Sequence, residues 1–483
     1  MKKITILRTM TAIALMFAVN ITAYAQFAGG AGTRQNPYQI ATVEQLVQLA
    51  TYVNVADTNY NNKIYILQND LDLNVEPYNT GKGWIPIGKL VTWGNQQPFK
   101  GVFNGNHKKI TGLYINDTAL NFAGLFGLLA EGATVRGIGL ENVNIVARDY
   151  VGGVVGFVFT GEVRSSHTTG RIEGRQWVGG IVGGTDVTEI ALCYSTANVS
   201  GSGLLGGIAG DVNENSHLSD CYSTGNVTGI HDMVGGIAGR VSHESSLSRS
   251  YATGTISGRW EVGGIAGVLA FDNTLSNCVA LNLRVTETGG TDEVGRVAGA
   301  NHESTLANNA AFINMRNKDN NTTWNNKGAD EIDGADITSQ TITTDGSLGG
   351  RFGAPIWTVE NGKLPGLLDS TVDIPKHLHE QMTSIRTVSD NMVVRVYPNP
   401  TQGELRITNY ELGIGNDNIG ANPRLLSEVE VRVRSITIYD ISGRFVGVYY
   451  LRSAIETTID ISHLPTGIYF LKIGDEMVKV VKN

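Results

Sequence analysis

At 483 residues the chain is long enough for roughly two to four domains with sizeable cores. Glycine fills 60 positions, about 12% against a usual share of about 7%, yet hydrophobic residues reach 41% and charged residues only 17%, a balance that excludes disorder. The absence of a three-residue glycine period excludes collagen, the lack of any long apolar run beyond the N-terminus excludes a multipass membrane protein, and the net charge of −8 argues against nucleic-acid binding.

The first 25 residues have the form of an address. Lys2, Lys3 and Arg8 make a positive start, residues 12–19 are apolar, and Ala23-Tyr24-Ala25 is an A-x-A cleavage site ahead of Gln26. The apolar stretch is short for a membrane span and no stop-transfer pattern follows, so a mature chain starting at Gln26 is expected to carry no transmembrane span. Cleavage removes three positive charges and no negative ones, taking the net charge from −8 to −11. Anionic membranes and nucleic acid, both bound through clustered Lys and Arg, are poor partners for such a chain.

Residues 26–122 are expected to cap and open a stack of coils. Thr42 suits a helix N-cap with Glu44 and Gln45 near the first turn, and Leu46, Leu49, Ala50 and Val53 share one helical face. A short capping helix there covers the open end of the stack, whose bare strand edges invite aggregation. The stretches IYILQNDLDL from Ile64, GWIPIG from Gly83 and FKGVFNGNHKKITGLYI from Phe99 read as irregular first coils.

Between residues 123 and 310 one pattern recurs. Aligned on the last glycine of G-G-[IV]-[AV]-G, the copies fall at Gly127, Gly156, Gly183, Gly210, Gly239, Gly267 and Gly299, with steps of 29, 27, 27, 29, 28 and 32. β-Branched and small residues dominate each unit, so the units read as strands bounded by glycine, at turns where a positive φ or a close backbone approach excludes a Cβ. A Gly-rich repeat of about 28 residues makes one coil of a parallel β-solenoid, or β-helix, and seven coils at the strand-pairing distance give a rod of roughly 34 Å. Each coil relies on its neighbours to bury its apolar side chains, which predicts a column of Ile181, Ile208, Ile237 and Ile265 and another of Ile172, Val199, Val227 and Ile256. Cys193, Cys221 and Cys278 share one repeat position with Ser166 and Ser250. They read as a small buried ladder, since stacked parallel Cβ vectors suit a disulfide badly.

The motif copies VGGIVG at Val178, LGGIAG at Leu205 and VGGIAG at Val234 and Val262, followed by LCYSTANVSG, DCYSTGNVTG and RSYATGTISG, resemble the Glug repeat of bacterial surface proteins and some immunoglobulin A proteases. That resemblance implies an adhesin-like, surface-displayed solenoid with no chemistry assigned to the repeat. The last unit departs from the pattern, with Arg296 for the second glycine and Asn309 for the cysteine, and reads as an exit coil. Residues 311–368 are expected to close the rod, and residues 369–391 to form a linker.

Residues 392–483 change pattern. Alternating segments from Val393, Ser435 and Thr457, punctuated by Asn-Pro, Ser-Gly and Pro-Thr-Gly, predict a small antiparallel β-sandwich, in a chain that is otherwise all-β apart from its cap. Tyr397-Pro398-Asn399-Pro400, Gly403, Tyr439-Asp440, Gly443-Arg444, Leu464-Pro465, Gly467-Ile468-Tyr469 and Lys479 make it resemble the C-terminal sorting domain of type IX secretion cargo. An insertion around residues 410–428 lengthens the usual first gap. The resemblance implies passage through the periplasm, handling by the type IX machinery, and then surface attachment or release.

Motifs for chemistry are missing. His243-Glu244, His302-Glu303 and His379-Glu380 each open an H-E-x-x-H zinc motif, but Leu247, Leu306 and Thr383 stand where the second His belongs. No G-x-S-x-G elbow occurs, and no grouping of carboxylates with Lys or Arg is legible. Asp70 and Asp72 share a strand face and could serve a glycosidase or structural calcium, although such pairs ordinarily mark a solvated face; no cofactor is expected. Tyr194, Tyr222 and Tyr251 recur beside the cysteine column. Alternation sets them outward, as a row able to stack on sugar rings, whereas a bend in the strand would turn them inward, the reading that aromatic burial favours. The expected function is a non-enzymatic, adhesin-like solenoid that binds host or matrix glycans or proteins; the alternative is a β-helix polysaccharide lyase or glycoside hydrolase.

Overall fold

The structure, a computed structural model, describes residues 26–92, 94–290, 293–344, 346–379, 395–397, 404–408, 435–450, 456–473 and 476–483. The cleavage positions Ala23 and Ala25, together with Pro398, Asn399, Pro400 and Gly403, lie outside the described residues. The chain divides into two units, residues 1–380 and 381–483.

Strands in the first unit pair with their counterparts one coil away, in parallel and in register. Ile145, Ile172, Val199, Val227, Ile256 and Val285 align down one ladder, and Val155, Val182, Ala209, Ala238, Ala266 and Ala298 down a seven-stranded sheet. The result is a parallel β-solenoid of about 11 turns. Tyr38–Ile40, Ile64–Leu67 and Val102–Thr111 belong to the same parallel stack, and the irregularity of the first coils includes a register shift between Asn104 and Lys108 against the next coil. Both predicted aliphatic columns are buried, and each such side chain contributes about 1.5–3 kcal/mol on leaving water. Cys193, Cys221 and Cys278 are free and buried, each thiol facing the carbonyl oxygen two residues earlier at 3.3, 3.1 and 3.4 Å. Burial pushes the Cys278 thiol up to about 12.

The repeat glycines are required by close approach and not by positive φ. A Cβ on the alignment glycine Gly183 would lie 2.5 Å from the Gly156 carbonyl oxygen and 2.6 Å from the Tyr150 carbonyl carbon, and Gly156, Gly210, Gly239, Gly267 and Gly299 meet the preceding coil in the same way. The positive-φ corners of the repeat are filled by other residues instead, such as Leu192, Asp220, Arg249 and Asn277 at one corner. A left-handed non-glycine residue costs about 1–2 kcal/mol. Stacking offsets it: Asp220 N–H donates to Ser248 O at 3.2 Å, Arg249 N–H to Ser276 O at 3.1 Å and Asn277 N–H to Ala307 O at 2.9 Å.

Both ends of the stack are closed by side chains that continue its hydrogen bonding. At the N-terminus Thr42 Oγ1 accepts from Gln45 N at 3.4 Å while Gln45 Oε1 accepts from Ala41 N at 2.7 Å, a reciprocal cap on the helix Val43–Asn54. At the other end the second glycines Gly180, Gly207 and Gly236 face the carbonyl of the next coil's second glycine at 2.1, 2.3 and 2.1 Å from a built Cβ, which leaves no room for a side chain. In the last coil a side-chain oxygen, Asp333 Oδ1, accepts from Arg296 N at 3.0 Å. The fully buried Arg296 guanidinium then donates to Asp333 O at 2.8 Å, Gly334 O at 2.8 Å and Asp336 Oδ1 at 2.6 Å.

Residues 346–379 do not extend the rod; they return along its outside. Trp357 Nε1 donates to Asp220 Oδ1 at 3.2 Å, Tyr251 Oη to Pro365 O at 2.7 Å, and His377 Nε2 to Leu281 O at 2.8 Å. The stretch 369–379, expected as linker, is part of this packing: Val372–Asp373 pairs antiparallel with Lys363–Leu364, and Leu378 is buried.

The second unit holds a three-stranded and a four-stranded antiparallel sheet. Leu405 and Ile459 from the first share a core with Ile436, Ile438, Leu471 and Val480 from the second, as expected of a sandwich.

Candidate functional site

Tyr194, Tyr222 and Tyr251 do point outward, opposite the buried Cys193 and Ser195, but they offer no ring face to a ligand. His167, Tyr194, Tyr222 and Tyr251 stack on one another along the rod axis at 4.7, 4.8 and 5.2 Å, with interplanar angles of 3°, 2° and 6°. One ring per coil at the strand spacing places each face against its neighbour's. Phe352 and Trp357 of the return segment then cover the row, with Tyr251 at 5.7 and 6.0 Å from them, so Tyr222 and Tyr251 are buried and only Tyr194 is half-exposed. The bend that would turn these rings inward does not occur; burial comes from outside.

A second aromatic column lies on another corner. Phe122, Tyr150, Trp177, Leu204, Met233 and Glu261 each precede the glycine pair or its equivalent, with φ of 62°, 56°, 55°, 53°, 58° and 51°. That left-handed turn swings each side chain over the outer face of the seven-stranded sheet. Phe122 stacks on Tyr150 at 4.8 Å and Tyr150 on Trp177 at 4.5 Å, while Phe157 meets Tyr150 edge-on at 5.2 Å and 88°. Tyr150 and Trp177 remain half-exposed.

The outward row of that sheet runs Leu128, Phe157, Gly184, Asp211, Arg240, Val268, Ala300, so an ionic pair interrupts an apolar strip. Arg240 is bidentate on Asp211 at 2.9 and 2.6 Å. Beside it Asn213 Nδ2 donates to Asp186 Oδ1 at 2.9 Å, while Asn213 Oδ1 accepts from Ser242 Oγ and His243 Nδ1, both at 2.8 Å. Burial, reinforced by the Asp211 and Glu214 charges and opposed by the Asn213 amide, raises the Asp186 carboxyl above its usual range. Burial and the charges of Asp211, Asp149 and Asp186 likewise raise the Tyr150 phenol. The coiling therefore gathers Asp186, Asp211, Glu214, Arg240 and Tyr150 on one face, a grouping not legible in the linear sequence. The available signal was the position before [VL]-G-G, which reads Tyr150, Trp177, Leu204, Met233 and Glu261 in successive motif copies.

Other singled-out residues take structural roles. Asp70 Oδ1 accepts from Lys109 N of the next coil at 2.9 Å and Asp72 Oδ1 from Asn74 N at 2.8 Å, so one acid braces a strand and the other a turn. His243 stacks on Phe271 at 5.2 Å, and His302 lies 3.8 Å from Glu261. Among the described residues no group of three or more His, Cys, Asp or Glu could hold a metal ion, and no helix is long and apolar enough to cross a membrane.

In the second unit the motif residues build turns. Asp440 accepts from Ser442 N, Arg444 N and Arg444 Nε, each at 3.0 Å, around Gly443 at φ 81°. Tyr469 Oη donates to Pro465 O at 2.8 Å, and Leu464 N–H to Ile461 O at 2.9 Å. Tyr397 pairs with Arg406, Gly467 with Lys482, and Lys479 with Phe470. Residues 395–483 match the family described as the secretion system C-terminal sorting domain. The second unit is a sorting domain. The chain that bears it is handled by the type IX secretion system and exported to the cell surface or the extracellular space.

Over 114 residues the chain is 40% identical to a protein of Evansella cellulosilytica named "Putative Gly-rich membrane protein", covering 24% of this chain and 12% of that one. Over 159 residues it is 30% identical to halomucin of Haloquadratum walsbyi, covering 32% of this chain and 2% of that one. The matched segments thus span only a small part of both relatives. A crystal structure described as a "putative immunoglobulin A1 protease" of Bacteroides ovatus superposes on 72% of this chain and 97% of its own with a TM-score of 0.51 at 20% identity, which shows a shared fold.

Proposed function

We propose that the exported chain is a non-enzymatic, adhesin-like solenoid of the Glug-repeat kind that binds host or matrix glycans or proteins through the outer face of its seven-stranded sheet. The supporting observation is that the polar groups of this face are committed to one another across coils, Arg240 to Asp211 and Asn213 to Asp186. A rigid surface of fixed charges and aromatic edges loses little entropy on binding. Applied to glycan arrays and immobilised matrix proteins, the purified full chain is expected to retain a ligand, and Tyr150→Ala with Trp177→Ala to weaken it about tenfold. Retention of nothing, or equal retention by the double variant, would overturn the reading.

A second reading, a β-helix polysaccharide lyase or glycoside hydrolase, draws on the raised Asp186 carboxyl beside Asp211, Arg240 and Tyr150. It predicts cleavage of an acidic polysaccharide that Asp186→Asn abolishes without weakening binding.

A further inference from the structure

Near the capped end of the stack, residues 77–89 arch over the capping helix, with Gly83 and Ile87 bridging to Ile115 and Phe126 of the coils. Between helix and arch lies a cavity of about 540 Å³, a size that holds a small organic ligand. Its walls are mostly apolar: Val47 and Ala50 from the helix and Val55 at its C-cap face Tyr78, Trp84 and Ile85 from the arch, with Thr51, Asn54 and Thr80 between them. Val55 and Ile85, 65% and 70% exposed, are unpaired apolar side chains at one shared mouth. Scattered surface aliphatics need no explanation, but two lining the same concavity do.

The cavity is preformed. Trp84 Nε1 donates to Leu125 O at 3.1 Å, which fixes the ring against the first coils, and Tyr78 meets it edge-on at 6.2 Å. The buried Asn54 amide ties the end of the helix to the arch, donating to Pro86 O at 2.9 Å and accepting from Gly88 N at 2.8 Å. Both walls are therefore anchored to the stack before any ligand arrives.

Charge at the rim has one sign. Lys82 and Lys89 both line the cavity. Lys82 is held by Asp117 at 2.7 Å, whereas Lys89 is exposed and has no ion pair among the described residues. In a chain of net charge −8, an uncompensated lysine beside an apolar opening selects for an anion.

We propose that this cavity binds a small amphipathic anion, an apolar chain or ring bearing a single carboxylate or equivalent head, with the apolar part between Val55 and Ile85 and the head at Lys89. The site is independent of the sheet face assigned above. Calorimetric titration of the purified full chain with decanoate and with uncharged decanol tests it. Decanoate is expected to bind more tightly than decanol, with an affinity that falls as salt is raised. Ile85→Asp, a change at an exposed lip, is expected to weaken decanoate about tenfold or more. Lys89→Glu should weaken decanoate about fivefold and leave decanol unchanged. Both variants should keep the wild-type melting temperature. Absence of decanoate binding, binding unaffected by Ile85→Asp, or decanol bound as tightly as decanoate would overturn the proposal.

Discussion

A Cβ at Gly183 would lie 2.5 Å from the Gly156 carbonyl oxygen, whereas one at Gly353 would have nothing within 4 Å. The two positions therefore respond oppositely to alanine. Gly183→Ala forces neighbouring coils apart and is expected to cost about 3 kcal/mol, while Gly353→Ala restricts only the unfolded chain and should be neutral or stabilise by about 0.4–1 kcal/mol. Urea midpoints compared at equal m-values read both. Arg296 is the complementary case, a large residue where earlier coils have glycine. Arg296→Ala removes the buried guanidinium from Asp333 O, Gly334 O and Asp336 Oδ1 and is expected to cost about 3 kcal/mol, seen first as faster hydrogen exchange at Val297 and Ala298, whose amides bond to Ile332 O.

The element that departs most from the repeat is the return segment. It holds to the coils through Trp357, Tyr251 and His377, and Trp357→Ala, which uncovers Tyr222 and Tyr251, is expected to cost about 3 kcal/mol and to make residues 346–379 the first site of limited proteolysis. Acid should loosen the same segment. Burial holds the His377 imidazole below its ordinary value, with the bond to Leu281 O opposing, and burial lowers His167 likewise. For a base lowered in the folded state, the unfolded chain takes up the proton first as pH falls below about 6.5, so stability is intact above that pH and declines below it. Exchange of the return-segment amides, corrected for intrinsic rate, should accelerate between about pH 7.5 and about pH 5.5, and His377→Gln should flatten the change. Asp186 and Glu261, raised by burial on the seven-stranded face, act with the opposite sign, so the acid response is expected at the return segment and around His167 and not on that face.

For the whole molecule, the solenoid and the sorting domain are separate folding units, one stabilised by repetition along an axis and the other by a single sandwich core. Deletion of residues 395–483 is expected to leave the solenoid folded and held in the periplasm, as read by cell fractionation and immunoblotting. Recovery of the truncated chain at the surface would show that another segment carries the address.

Periodicity and local turn chemistry were determined by the sequence alone. The step of about 28 residues, the buried columns through Ile181 and Ile172, the cysteine ladder and the capping helix were all readable, because neighbour-on-neighbour stacking and i, i+3 spacing are written into adjacent residues. The Asp440 to Arg444 turn was equally readable, its bonds closing within four residues. Only the tertiary structure decided what the outward rows do. Trp357 reaches Asp220 across 137 positions, and no period predicts that contact. The left-handed corner at Tyr150 and Trp177 sends side chains onto a sheet that strict alternation would not have let them reach. The repeat specifies which residues lie outside, but their fate is set by non-periodic chain that folds back over them and by corner geometry that stacking, not residue type, sustains.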